Sequence, residues 1–341
     1  EVGEWMAPLK LTGLAVAIGM VGGMALQAEN WPAWRGAGGN GAAPGASVPA
    51  ELSLARSWKA PLPGRGCSTP VVWGSTVFVT GPDGEEDTVF AFDLESGREL
   101  WRRGLGKARM GRTQRIGSSA NSSPVTDGKR VYAYFKSGTL AALDFTGKVD
   151  WKINVDETFA EDKILWDKGT SPVLAGGKLV IAVMQQNGRS YLVALDPETG
   201  KKAWLTDRPF KTEGETGDSY ATPFVVTLDG VETIVTWGAD HLTGHDAKNG
   251  KQLWVCGGFN PTNHKVYRTI ASASWTGSVA IVVYGREEFV AGIRMGGAGD
   301  VTEEARLWQH KGWGSDTATP AAWEGKALVL CDRGKERGTL T

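Results

Sequence analysis

The sequence predicts an all-β chain, folded as a β-propeller of four-stranded antiparallel blades. Three observations carry the prediction. One hairpin design recurs at steps of 51, 52 and 50 residues. A second apolar motif recurs in register with it. No convincing amphipathic helix lies between Asn30 and Thr341. A lone antiparallel sheet leaves apolar surface open to water, whereas such sheets stacked around an axis bury it against one another.

The hairpin reads AFDLESGRELW at 91–101, ALDFTGKVDW at 142–151, ALDPETGKKAW at 194–204 and GHDAKNGKQLW at 244–254. Asp93, Asp144, Asp196 and Asp246 end the third strand of each unit, where a carboxylate accepts from the N–H groups of the turn. The turn glycines supply the positive φ that closes a short hairpin. Trp101, Trp151, Trp204 and Trp254 each supply a large ring for the contact between units, and the small residue two before the Asp is expected to leave room for a ring from the neighbouring sheet. A group needed once per unit serves the scaffold, so these Asp and Trp residues are read as structural.

The second motif gives the first two strands. It starts at Ser68 (STPVVWG), Ser122 (SSPVTDG), Thr170 (TSPVLAGG), Ala221 (ATPFVV), Ala271 (ASASWTG, without Pro) and Ala318 (ATPAAWEG). Each is an apolar run, a Gly-containing turn and a second apolar run, a strand–turn–strand signal. One unit is thus strands A, B, C and D, and the chain holds five full units and a partial sixth. Trp58 has no strand C before it and reads as an orphan strand D that completes the last blade of the ring. GTLT at 338–341 resembles the start of a strand C. Truncation from a ring of seven or eight blades is expected, with six-bladed closure through Trp58 as the alternative.

Composition bounds the rest. Lys plus Arg number 37 against 38 Asp plus Glu, which removes the electrostatic case for nucleic acid. Forty-seven glycines and 15 tryptophans fit many tight turns and many ring-filled seams. Residues 1–28 read as a cleavable signal: a short basic stretch at 6–10, an uncharged run over 11–26, then small Ala28. The expected organisation is a signal at 1–28, an extended segment at 29–52 and the propeller at 53–341. The expected location is periplasmic or secreted, with no stable membrane insertion once the signal is removed. Cys67, Cys256 and Cys331 are spaced for neither zinc nor a disulfide framework. His241 and His245 are four apart on a strand, where the helical metal-site argument does not hold.

The pattern small-x-Asp-x-x-Thr-Gly-x-x-x-Trp resembles the repeat of quinoprotein-type propellers, the PQQ-like repeat family, over about residues 58–341. The opening NWPAWRGAGGNG at 30–41 and SWKAPLPGRGCSTPVVWG at 57–74 are similar to secreted planctomycete-type members of unassigned role. The resemblance implies a ring of seven or eight blades. Its enzymatic members hold a quinone and a calcium ion on the axis, with an adjacent Cys–Cys pair, a Glu and an Asn as calcium ligands and an Asp as base. No Cys–Cys pair exists in this sequence and the other positions do not map onto it. No metal and no cofactor are therefore expected, PQQ with calcium belonging only to an alternative reading as a PQQ-dependent alcohol or sugar dehydrogenase, and no catalytic residue is assigned.

The connections from strand D to the next strand A are long, at 102–121, 152–169, 205–220 and 255–270, and the other turns are short. One rim is thus free to carry binding residues. The expected ligand- or partner-binding residues on that rim are Arg112, Arg115, Asn121, Trp166, Asp167, Asp218, Tyr220, Asp240, His241, Arg268, Trp313 and Asp316. Asp167, Asp218 and Asp316 could equally serve as backbone acceptors at their strand starts. The function expected is a non-catalytic scaffold or binding module for a protein, or for another periplasmic or extracellular ligand.

Overall fold

The computed structural model describes residues 30–43, 46, 57–110, 117–284, 289–332 and 337–340. The signal at 1–28 and Arg112 and Arg115 lie outside the described residues. Blade 1 is built from Val71–Trp73, Thr76–Asp83, Glu86–Asp93 and Glu99–Lys107. Blade 2 holds Val125–Thr126, Arg130–Tyr134, Thr139–Asp144 and Val149–Asn154, and blade 3 Val173–Ala175, Lys178–Val183, Tyr191–Leu195 and Lys202–Asp207. Blade 4 comprises Phe224–Leu228, Val231–Gly238, His241–Asp246 and Gln252–Cys256, and blade 5 Ser274–Thr276, Val279–Tyr284, Phe289–Arg294 and Arg306–Lys311. A sixth unit contributes Ala321–Trp323 and Lys326–Leu328. Within every blade, strands A to D pair antiparallel in chain order. The expected five full blades and partial sixth are present.

Apolar side chains of strands B and C fall on both faces of each blade, and the core is accordingly divided into seams. One cluster joins blades 1 and 2 through Phe78, Val89, Val131 and Ala141. Others join blades 2 and 3, 3 and 4, 4 and 5, and 5 and 6.

The hairpins fasten the seams. Asp196 Oδ1 accepts from the N–H groups of Glu198 and Thr199 at 3.1 and 2.8 Å, and Asp144 Oδ1 from those of Thr146 and Lys148 at 2.8 and 3.0 Å. Three of the four repeat indoles then cross to the next blade's turn. Trp101 Nε1 donates to the carbonyl of Phe145 at 2.8 Å, Trp151 to Pro197 at 2.9 Å and Trp204 to Ala247 at 3.3 Å, in every case the residue after the repeat Asp. The turn glycine under each ring is doubly required. Gly147 has φ +84°, and a Cβ there would stand 2.7 Å from Trp101. Trp58 makes the same contact on blade 1, its Nε1 on the Leu94 carbonyl at 2.9 Å, so it occupies the strand-D position of a blade preceding blade 1.

One expectation is corrected. The small residue two before the Asp faces its own blade's ring, not a neighbour's: Ala91 stands opposite Trp101, Ala142 opposite Trp151 and Ala194 opposite Trp204. It lets the indole lie across its own sheet before reaching the next turn. Trp254 departs from the pattern. Opposite Gly244, its ring lies back over the missing Cβ, with Nε1 buried and unpaired, inside the core shared by blades 4 and 5. Blade 5 has no matching turn to receive it. Its C–D connection is enlarged, and Gly299–Asp300 from that insertion pairs parallel with strand D of blade 4.

A feature of the inner strands escaped the sequence reading. The second residue of each strand-A motif links to the next around the axis. The amide of Thr69 donates to Ser123 Oγ, Ser123 to Ser171, Ser171 to Thr222, Thr222 to Ser272 and Ser272 to Thr319, all at 2.9–3.0 Å. A buried amide left unpaired costs about 1–3 kcal/mol, which explains the hydroxyl residue in every copy.

Candidate functional site

The residue just before each strand-A motif stands at the long-loop end of the inner strands. Asn121, Gly169, Tyr220, Ile270 and Thr317 hold this place in five consecutive units, and all five line one cavity of about 440 Å³. Trp166, Asp167, Arg268, Asp316 and Gly117, from the same connections, complete its wall. Six expected residues thus come together from five blade-to-blade connections: Asn121, Trp166, Asp167, Tyr220, Arg268 and Asp316.

The charges of this wall are matched internally. Asp167 pairs with Lys136, both buried. Arg268 reaches Glu215 at 3.1 Å and Asp316 at 3.8 Å. Tyr220 Oη accepts from the Trp166 amide at 3.2 Å, which fixes the two aromatic residues relative to each other. Burial raises the Tyr220 phenol above its ordinary range, and the nearby Asp218 carboxylate adds to the shift. Trp166, Tyr220 and Ile270 give the cavity apolar surface, while Asn121, Arg268 and Asp316 give it polar edges.

The other expected residues lie elsewhere. Asp218 is fully buried and braces loops: Oδ1 accepts from the Gln186 amide at 2.9 Å and Oδ2 from that of Leu165 at 3.2 Å. Burial pushes its carboxyl up. Asp240 lies in the B–C turn of blade 4 and His241 opens its strand C. Asp240 meets Asn260 at 3.2 Å, and burial pushes its carboxyl up to about 7. His241 stacks on Phe210 with centroids 3.8 Å apart and lines a separate groove with Asp300 and Glu303. Trp313 is 42% exposed near His310. Lys136 and Glu215, which set the charge balance, were not anticipated; they lie outside the strand-A register that marks the rest, and no spacing in the sequence singles them out.

A model of the family described as outer membrane protein assembly factor BamB matches residues 55–207 and again 160–329. The chain belongs to the PQQ-like repeat family. Two curated PQQ-like relatives come from Pseudomonas putida. Quinohemoprotein alcohol dehydrogenase ADH-IIG is 30% identical over 45% of this chain and 21% of its own length. ADH IIB is 28% identical over 50% of this chain and 22% of its own. The matched region thus spans only about a fifth of those enzymes. Among solved structures, the quinohemoprotein alcohol dehydrogenase of Comamonas testosteroni superposes with a TM-score of 0.62 at 16% identity, covering 88% of this chain and 52% of that one. That likeness shows the PQQ-like propeller fold. Among the described residues, no helix is long and apolar enough to cross a membrane.

Proposed function

We propose that this PQQ-like propeller is a non-catalytic binding module, exported to the periplasm or beyond, whose ligand enters the axial cavity of the long-loop rim. One observation carries the reading: five separate blade-to-blade connections deliver Asn121, Trp166, Asp167, Tyr220, Arg268 and Asp316 to the same cavity. Rigid blades holding dissimilar loops in one place are how a scaffold specialises. The internal neutralisation of the wall favours an uncharged group with an apolar face and hydrogen-bonding edges, such as a projecting loop of a partner protein. The family's assembly-factor description makes such a partner the first to test.

The alternative is quinone-dependent alcohol oxidation, as the names of the curated relatives suggest. The acids of the cavity wall count against a calcium-held quinone there. Asp167 and Asp316 face cations already, and the three cysteines are free, with none adjacent to another.

A photo-crosslinking residue at position 121, in the native envelope, tests the site. The expected result is one identified partner whose yield falls at least tenfold with Trp166→Ala. An equal yield from both forms removes the site. Stoichiometric PQQ uptake with calcium, followed by dye reduction with an alcohol, would replace this reading with the enzymatic one.

A further inference from the structure

Residues 30–41 are in contact with all six described units. Asn30 Oδ1 accepts from the Gly74 amide at 2.8 Å, and Trp31 exchanges two backbone hydrogen bonds with Val72, of 2.9 and 2.8 Å, in blade 1. The Pro32 carbonyl accepts from the Thr126 amide of blade 2 at 2.9 Å. Ala33 packs on the core shared by blades 2 and 3 and lines a small cavity with Val173 and Leu174 of blade 3. Gly39 lies against blade 4, where a Cβ on it would stand 3.4 Å from that of Phe224. The Gly38 carbonyl accepts from Trp275 Nε1 of blade 5 at 3.1 Å. Arg35 Nη2 donates to the Pro320 carbonyl of unit 6 at 2.7 Å and to Asn40 at 2.7 Å.

In blades 1 to 5 these contacts fall on strand A itself or on the turn that follows it, away from the residues that line the axial cavity. The amides of Val72 and Thr126 have the segment as their backbone partner. Inner-strand amides left without a partner in a closed channel are costly, so the segment supplies what a neighbouring strand would otherwise supply. Its sequence suits the place. Gly36, Gly39 and Gly41 take positive φ of 80°, 65° and 80°, which lets the backbone coil within the ring's bore.

We propose that residues 30–41 are an axial keystone: a docked segment that binds the inner strands of all six units, closes the short-turn end of the channel and leaves the cavity a single mouth. The keystone holds the units together at the axis, as the indoles hold them at the periphery. Its displacement opens the channel from end to end.

Amide hydrogen exchange on the full chain tests this. In Arg35→Ala, the Val72 and Thr126 amides are expected to exchange about tenfold faster, while the Val180 and Val193 amides of blade 3 keep their rates. Trp275→Phe, which removes only the bond to Gly38, is expected to act in the same direction and more weakly. Unchanged rates at Val72 and Thr126 in both variants overturn the proposal. A protease site inserted between residues 43 and 57 gives a second measurement, valid even if Arg35→Ala does not fold. After cleavage, the N-terminal fragment is expected to co-elute with the ring in native buffer, and to separate only in denaturant. A fragment that leaves in native buffer, with Val72 and Thr126 still protected, overturns it as well.

Discussion

The seam between blades 2 and 3 and the seam between blades 4 and 5 solve one packing problem in two ways. In the first, Trp151 crosses from its own sheet to the neighbouring turn and ends on the Pro197 carbonyl at 2.9 Å. In the second, Trp254 folds back over Gly244 and its indole N–H finds no acceptor. The difference follows from two substitutions in the repeat. Glycine replaces alanine opposite the ring, and blade 5 replaces its tight C–D turn with an insertion that adds Gly299–Asp300 to the edge of blade 4. The indole therefore matters at a regular seam for its reach and its hydrogen bond, and at the irregular one for its volume alone.

The largest test of that contrast is truncation. Trp151→Ala opens the regular seam and is expected to cost about 3–5 kcal/mol in chemical denaturation. A loss below about 1 kcal/mol would mean that the rings do not hold the blades. Next comes Gly244→Ala. The added Cβ would stand 2.3 Å from the Trp254 ring, so the ring must move, at a cost of about 1–3 kcal/mol. The alanine already present at position 142 in blade 2 is the control that this residue suits a crossing indole. A variant as stable as the parent would show that Trp254 can cross as Trp151 does.

The long-loop end of the seam between blades 1 and 2 carries a titrating group. Asp87 of blade 1 is fully buried and accepts from Ser137 Oγ of blade 2 at 2.6 Å, and burial pushes its carboxyl up to about 6. The folded chain holds this proton more tightly than the unfolded chain, whose Asp releases it near pH 4. Stability from this group is therefore present at low pH and is lost as pH rises through about 4 to 6. Asp87→Asn is expected to remove that slope and to gain about 1–2 kcal/mol at pH 7.5. A slope that survives in the variant assigns it to another group, with Asp240 the next candidate. The smallest effect separates the two indoles by their hydrogen bonds: Trp151→Phe is expected to cost about 1 kcal/mol more than Trp254→Phe. Equal costs would mean that the Pro197 contact is idle.

The blades were legible because they are periodic. Asp93, Asp144, Asp196 and Asp246 announce the spacing, and alternating apolar runs on either side fix strand and turn. Most of the cavity was legible for the same reason: Asn121 and Tyr220 immediately precede the strand-A motif, which recurs in every unit, and Trp166 and Asp167 lie only a few residues before it. Asp218 shows the limit. It sits as close to its motif as Asp167 does, yet its carboxylate turns to the Gln186 and Leu165 amides, and no local spacing distinguishes the two. The partners of residues 30–41 were illegible because they are spread over the whole chain, from Val72 to Pro320. The return of Trp254 onto Gly244 depends on a turn missing from blade 5, which only the assembled neighbours reveal.

The linked hydroxyls of the inner strands have a direction. Units 2 to 5 each give their amide to the unit ahead and their oxygen to the unit behind, so every member from Ser123 to Ser272 is chemically interchangeable with the next. Thr69 and Thr319 are the two ends of this run. Exchanging whole spokes among the four interior positions would therefore leave the hub's wiring intact.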